Sequence, residues 1–209
     1  MTQEARRQLT DPVAMRALAH PARLAILNRL QAEGPATATE VAEVVGVTPS
    51  AASYHLRMLA KYGFAEDAPA RGDARERMWR HSSGGMVISP EADDPPEVRA
   101  AKELLIKAVR DHAADEATRA LASFDREPAE WQEASIFYRT VLLVSAEELR
   151  ELHRRIDELL DPYSINRRDR AEVPPGARVA EAQVNLFPRA ERRPHGLPQE
   201  GTHPGPLDG

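Results

Sequence analysis

The sequence predicts a mainly α-helical chain: a small domain of short, capped helices closed by a charged β-hairpin, then long helices that need a partner. Three observations carry this. Capping residues punctuate residues 10–63 at every expected helix boundary. Between 64 and 82 the period changes to that of a turn-rich hairpin. Beyond 96, two long runs repeat apolar residues at steps of three and four.

The first helix opens at Asp11-Pro12, an acidic N-cap with proline at the first helical position, and stops at His20 because Pro21 restricts the residue before it. Pro21 then opens a second helix that gathers Leu24, Ile26, Leu27 and Leu30 on its inner side and ends at Gly34. Thr37 and Glu40 form a capping box for a third helix, which Gly46 closes. Thr48 caps a fourth, with Pro49 first and Gly63 beyond its end. Two short helices joined by a tight glycine-containing turn are a helix-turn-helix, and Ala42 and Ala52 are small enough to let the two axes approach.

After Gly63, FAEDAP and ERMWRHS flank the turn-rich RGDAR. This hairpin is a wing, with Phe64 and Trp79 inward and Arg71, Arg75 and Arg77 at or near its tip. The organisation expected is a winged helix-turn-helix domain over 10–82, a connector over 83–96 and long helices over 97–161. An extended segment with a short strand near 178–187 follows over 162–187, and 188–209 has the proline- and glycine-rich composition of a disordered tail. A run free of Gly and Pro from 97 to 126 would span about 45 Å as one helix. A second long helix is expected from 130 to 160, its stripe formed by Tyr138, Leu142, Ser145, Leu149, Leu152, Ile156 and Leu159. That stripe must be covered, by a helical hairpin or across a dimer.

Composition narrows the function. The chain has 209 residues, a net charge of −5 and no cysteine, which excludes disulfides, cysteine nucleophiles and thiolate metal sites. Residues 1–90 carry 11 Lys and Arg against 9 Asp and Glu, whereas residues 91–161 carry 10 against 18. A mildly basic first part joined to an acidic second suits a DNA-reading module fused to something that does not touch DNA. No signal peptide or 18-residue apolar run is present, so a cytoplasmic protein with no membrane partner is expected. No glycine-rich phosphate loop, HExxH or GxSxG occurs, and no enzymatic activity is expected.

The stretch LAHPARLAILNRLQAEGPATATEVAEVVGVTPSAASYHLRMLAKYGFAED resembles the core of the ArsR-type winged-helix repressors, in its AHPARLAIL opening, its helix-turn-helix and its serine-plus-HLRML recognition helix. The likeness covers about residues 12–81. It implies a homodimeric transcriptional regulator, usually a repressor, that sets the helix from Thr48 in the major groove and lets the wing reach the flanking backbone or minor groove. His55 matches the family's nearly fixed histidine and is expected to make a structural hydrogen bond.

A helix in the major groove meets bases chiefly with its first two turns, so Ser50, Ala51, Ser53 and Tyr54 are candidates for base edges or thymine methyls. Thr48, Ser50 and Arg57 are candidates for phosphate, as are Arg71, Arg75, Arg77 and Arg80 in the wing. Leu56, Leu59 and Ala52 belong to the core stripe. Tyr138, Leu142, Leu149, Leu152, Ile156 and Leu159 are the candidate dimerisation residues. Metal sensing, for which the family is known, is not expected: without thiolates the one local cluster is His112 with Asp115 and Glu116, ordinary in an acidic helix. No cofactor is expected, and an effector would be a small organic molecule or a protein partner acting on 97–161. The competing reading is a protein-interaction or structural module in which the winged domain mainly packs; retention of DNA by the purified chain separates the two.

Overall fold

The computed structural model describes residues 7–71, 76–82, 86–88 and 91–189. Arg75, expected at or near the wing tip, and the residues from 190, expected as a tail, lie outside the described residues.

Local chemistry sets the first elements. The short strand β1 (Arg7–Gln8) precedes α1 (Pro12–Leu18), whose first turn is capped by the Asp11 carboxylate accepting from the Val13 N–H. In α2 (Pro21–Glu33) the cap is His20, whose Nδ1 accepts from the Ala22 N–H at 3.2 Å. After Gly34 comes β2 (Ala36–Thr37), then α3 (Ala38–Val45) with both halves of the Thr37–Glu40 capping box formed. Gly46 ends α3 in the left-handed region at φ 73°, a conformation glycine adopts without steric penalty. Thr48 caps α4 (Pro49–Lys61).

The hairpin is β3 (Ala65–Ala68) and β4 (Met78–His81), antiparallel, with Asp67 opposite Trp79. Trp79 is buried and Phe64 half-buried, as the inward set requires. β2 pairs with the other edge of β4, giving the order β2-β4-β3. This third strand was not expected, since two residues of Ala-Thr carry no periodicity. A further strand, β5 (Met86–Val87), pairs in parallel with β1.

One core joins these parts. Met15, Leu18, Ile26, Leu30, Val41, Leu56 and Leu59 are fully enclosed, and Ala42 and Ala52 are buried where α3 meets α4. The core continues into α5 (Pro96–Ser123), whose Ala101 and Leu105 belong to the same cluster, with Val98, Ala108 and Val109 against it. Beside them Lys102 is buried at 3% side-chain exposure, its Nζ 2.7 and 2.8 Å from the two oxygens of Asp94, itself at 7%. A buried ammonium is tolerated because this carboxylate neutralises it.

Beyond α5 the structure departs from the expectation. The helix expected over 130–160 is two: α6 (Ala129–Ala134) and α7 (Ala146–Leu160), separated by residues 135–145, which form neither helix nor strand. Tyr138 and Leu142 are therefore not on a helix with Leu149, Leu152, Ile156 and Leu159. The cause is local. Ile136, Thr140, Val141 and Val144 are β-branched and Phe137 and Tyr138 aromatic, types that lose side-chain freedom in a helix. Ser145, which the spacing counted within the stripe, instead caps α7 in a second capping box with Glu148. The strand expected near 178–187 is also absent. Side chains hold that segment to the helices: Arg178 bonds Glu127 at 2.6 Å and lies over the Trp131 ring, and Gln183 donates to the Ala113 carbonyl at 2.6 Å. A strand needs a ladder partner, which the local sequence does not supply. No helix among the described residues is long and apolar enough to cross a membrane.

Candidate nucleic-acid interface

The recognition helix α4 divides cleanly into two faces. Ala52, Leu56 and Leu59 point into the core, while Ser50, Tyr54 and Arg57 are exposed and Ala51 and Ser53 half-buried. The Thr48 hydroxyl is already committed to its own helix, accepting from the Ala51 N–H at 3.2 Å and standing 3.3 Å from the Ser50 hydroxyl. The Arg57 guanidinium donates to the Ser53 hydroxyl at 2.7 Å, so a candidate phosphate ligand and a candidate base reader are linked before any ligand arrives. Tyr54, 51% exposed, sets its ring edge-on to His55 at 5.5 Å between centroids.

His55 itself faces inward. Arg23, buried from α2, donates from Nε to His55 Nδ1 at 3.4 Å and from its other end to the Ala17 carbonyl. The His20 ring lies 4.8 Å from that of His55. Burial, reinforced by the neighbouring His20 and Arg23, holds His55 below the usual histidine range and keeps its ring neutral. The structural hydrogen bond expected of this residue is present.

The wing brings one arginine to the helix. Arg77 stacks on Trp79 at 4.1 Å and pairs with Asp67, and it lines a shallow cleft of about 230 Å³ with Ala38, Thr39, Ser53, Arg57 and Glu76. Ser53, Arg57 and Arg77 thus share one site between the recognition helix and the hairpin. The others stand apart: Arg71 bridges Glu40 at 3.1 Å and the Pro35 carbonyl at 2.8 Å, and Arg80 pairs with Glu66 at 2.7 Å.

Each described wing arginine therefore carries a carboxylate, which arginine spacing alone does not reveal. For Arg77 and Arg80 the signal lies across the hairpin. Glu66 stands directly opposite Arg80 in the ladder, and Asp67 opposite Trp79, one diagonal step from Arg77. Arg77 holds the Asp67 carboxyl below the ordinary carboxylate range. For Glu40 the leading cause is the Thr37 N–H of the capping box, with Arg71 adding to it. Thr39, which helps shape the cleft, was not singled out by the sequence, and Trp79 was read only as an inward residue of the hairpin; both sit where β2, α3 and β4 converge, a contact that only the fold makes.

These elements define the class: a winged helix-turn-helix domain, a fold of the DNA-binding kind. A family model agrees with this domain. Residues 18–67 match the family model described as a helix-turn-helix domain. Among solved structures, reduced HlyU from Vibrio cholerae is 26% identical, over 46% of this chain and 83% of that one, with a TM-score of 0.29. A mutant of ZitR from Lactococcus lactis in apo form is 18% identical, over 69% and 83%, with a TM-score of 0.31. A mutant of MarR from E. coli is 16% identical, over 72% and 88%, with a TM-score of 0.31. A comparison with curated proteins finds no match.

Proposed function

We propose that this chain is a sequence-specific transcriptional regulator of the ArsR type, a repressor that binds an inverted-repeat operator as a twofold homodimer. One observation carries the reading: the outward face of α4 presents Ser50, Ser53, Tyr54 and Arg57 beside the wing's Arg77, while its opposite face is locked into the core. A helix so mounted enters a major groove with its N-terminal turns free to meet base edges. Ser50, Ala51, Ser53 and Tyr54 are the base readers. Thr48 through its end of the helix, and Arg57, Arg71, Arg75, Arg77 and Arg80 through charge, position the domain on phosphates. Two recognition helices about 34–36 Å apart match two half-sites one turn apart.

The second copy covers the apolar surface of the C-terminal part, where Leu149, Leu152, Ile156 and Leu159 of α7 and Tyr138 and Leu142 before it all remain at least partly exposed. Regulation acts through 97–161, by a small organic effector or a protein partner and not by a transition metal. In support, the chain has no cysteine, and His112 Nε2 stands 2.7 Å from Asn28 Nδ2, where it ties α5 to α2.

The test is selection of bound sequences from random DNA, then titration of the recovered operator and of random DNA with Tyr54→Ala and Arg77→Ala. Tyr54→Ala is expected to lower operator affinity preferentially, by up to the 1–3 kcal/mol (roughly) that a base contact discriminates. Arg77→Ala is expected to weaken both DNAs by similar factors. Equal losses for both variants on both DNAs, or no recovered motif, would overturn the reading.

A further inference from the structure

Residues 136–144, IFYRTVLLV, follow α6, and the one ring contact they make among the described residues is that of Phe137, edge-on to Phe124 at 6.5 Å between centroids. They make no helix, strand, turn or bend, and none of their backbone groups bonds to another described backbone group. Seven of the nine are large apolar side chains left in water, from Val144 at 38% exposed to Leu143 at 102%. Their composition is that of a strand, rich in β-branched and aromatic residues. Successive side chains of a strand alternate between faces, so Ile136, Tyr138, Leu142 and Val144 would share one face and Phe137, Val141 and Leu143 the other. A run apolar on both faces suits a strand that is covered on both sides.

We propose that residues 136–144 are the dimer strand of this protein, pairing antiparallel with the same residues of a second copy about a twofold axis at Thr140. The proposal rests on the homodimer reading above and names the surface that makes it. The order of residues is self-complementary about Thr140. Antiparallel pairing sets Tyr138 opposite Leu142, Phe137 opposite Leu143, Ile136 opposite Val144, and Thr140 opposite itself. These are aromatic–aliphatic, aliphatic and Thr–Thr pairs, the kinds that stabilise cross-strand contacts. Arg139 is the only charge in the run; it faces Val141, and its symmetry mate lies on the diagonal, about 7–8 Å away.

Charge also favours a second copy over a foreign partner. In α7, directly after the run, Arg154 pairs with Glu151 at 2.6 Å and with Glu158 at 2.5 Å, and Arg155 with Glu151 at 2.7 Å. These groups satisfy one another within the helix and leave its apolar stripe without an ionic request. The area is sufficient: a standard interface takes about 800 Å² from each partner. Aromatic side chains alone bury about 150–250 Å² each, and the run holds two beside five exposed aliphatics. Among the described residues, the irregular segment 178–187 is not free to cover it, because Arg178 and Gln183 hold that segment to α5, α6 and the turn between them.

The experiment measures the mass of the full chain in solution and cross-links single cysteines introduced into a protein that has none. Wild type is expected at twice the chain mass at micromolar concentration. Leu143→Asp, at a side chain fully exposed in one copy, is expected at one chain mass with an unchanged circular dichroism spectrum and thermal midpoint for the winged domain. Thr140→Cys is expected to form an intermolecular disulfide readily under mild oxidation. Val144→Cys is not, because its counterpart lies roughly 27 Å away in this register, eight residues at about 3.4 Å each. A Leu143→Asp chain that stays dimeric, or Val144→Cys linking as readily as Thr140→Cys, overturns the strand and leaves the homodimer standing. A wild type of one chain mass overturns both.

Discussion

At the scale of single residues, the capping box of Thr37 and Glu40 gives the most direct prediction. Removing the hydroxyl in Thr37→Ala leaves the Glu40 N–H unbonded at the start of α3 and is expected to cost about 1 kcal/mol in chemical denaturation. Asp67 gives a second. It competes with DNA phosphate for Arg77, so Asp67→Asn should tighten binding to random DNA, while Arg77→Ala should lower the slope of log affinity against log salt by about 0.9. Gel-shift titrations at several salt concentrations check both; an unchanged slope for Arg77→Ala removes that arginine from the phosphate contacts. His55 gives a third. Its folded pKa lies below the ordinary 6.5, so the fold favours the neutral ring, and the stability this provides is present above pH 6.5 and lost as pH falls through the folded value. Thermal midpoints should therefore decline on acidification below pH 6.5. His55→Asn, which keeps an acceptor for Arg23 but does not titrate, should flatten the decline. Residue types and caps were legible from the sequence at this scale; the carboxylate on each wing arginine was not, because it depends on strand register for Arg77 and Arg80 and on a long-range contact with α3 for Arg71.

Among elements, the recognition helix and α3 behave as their caps and small residues foretell, and Ala52 shows why. It is fully enclosed at the α3–α4 crossing, so Ala52→Leu must overpack that contact, at a cost of about 1–3 kcal/mol. The junction between the connector and α5 follows a different rule. Lys102→Met leaves Asp94 enclosed without its counter-ion and should lower the thermal midpoint by several degrees at neutral pH, although the substitution preserves side-chain length. Lys102, with the Glu91 N–H second, holds the Asp94 carboxyl below its ordinary 3.8; the stability it adds is present above that pH and lost in stronger acid. The penalty in Lys102→Met should accordingly shrink as Asp94 protonates. Nothing in EADDPPEVRAAK distinguishes Asp94 from Asp93, or Lys102 from the exposed Lys107: all are charged residues near or on an amphipathic helix, and burial alone separates them. The break after α6 was legible in retrospect, since β-branched and aromatic residues crowd 136–144 and a serine with glutamate three places on restarts the helix. Spacing concealed it, because the steps of four and three happened to continue through the gap.

For the whole molecule, the continuous core from Leu9 to Leu105 predicts that the winged domain does not need the residues after Arg126 to fold. A chain ended at Arg126 removes α6, α7 and the segment bound through Arg178 and Gln183, contacts that are all at the surface. Its thermal midpoint should lie within about 4 °C of the full chain, the shift expected of about 1 kcal/mol at this size. Its DNA binding should fall to that of one half-site, since the surface proposed to join two copies has gone. Calorimetry and footprinting of the truncated chain check the two halves of this separately.

The sequence by itself determined where helices begin and end in the first 63 residues, which face of α4 enters the core, and that thiolate chemistry is closed to this chain. Those properties depend on residues one to four positions apart, which local hydrogen bonds and helical periodicity couple directly. Only the tertiary structure decided that α5 shares the core of the winged domain, that β2 completes its sheet, that Arg57 and Arg77 meet Ser53 at one cleft, and that the wing arginines already hold carboxylates. Each of those contacts joins residues far apart in the chain, where packing and cross-strand register, not local spacing, select the partner.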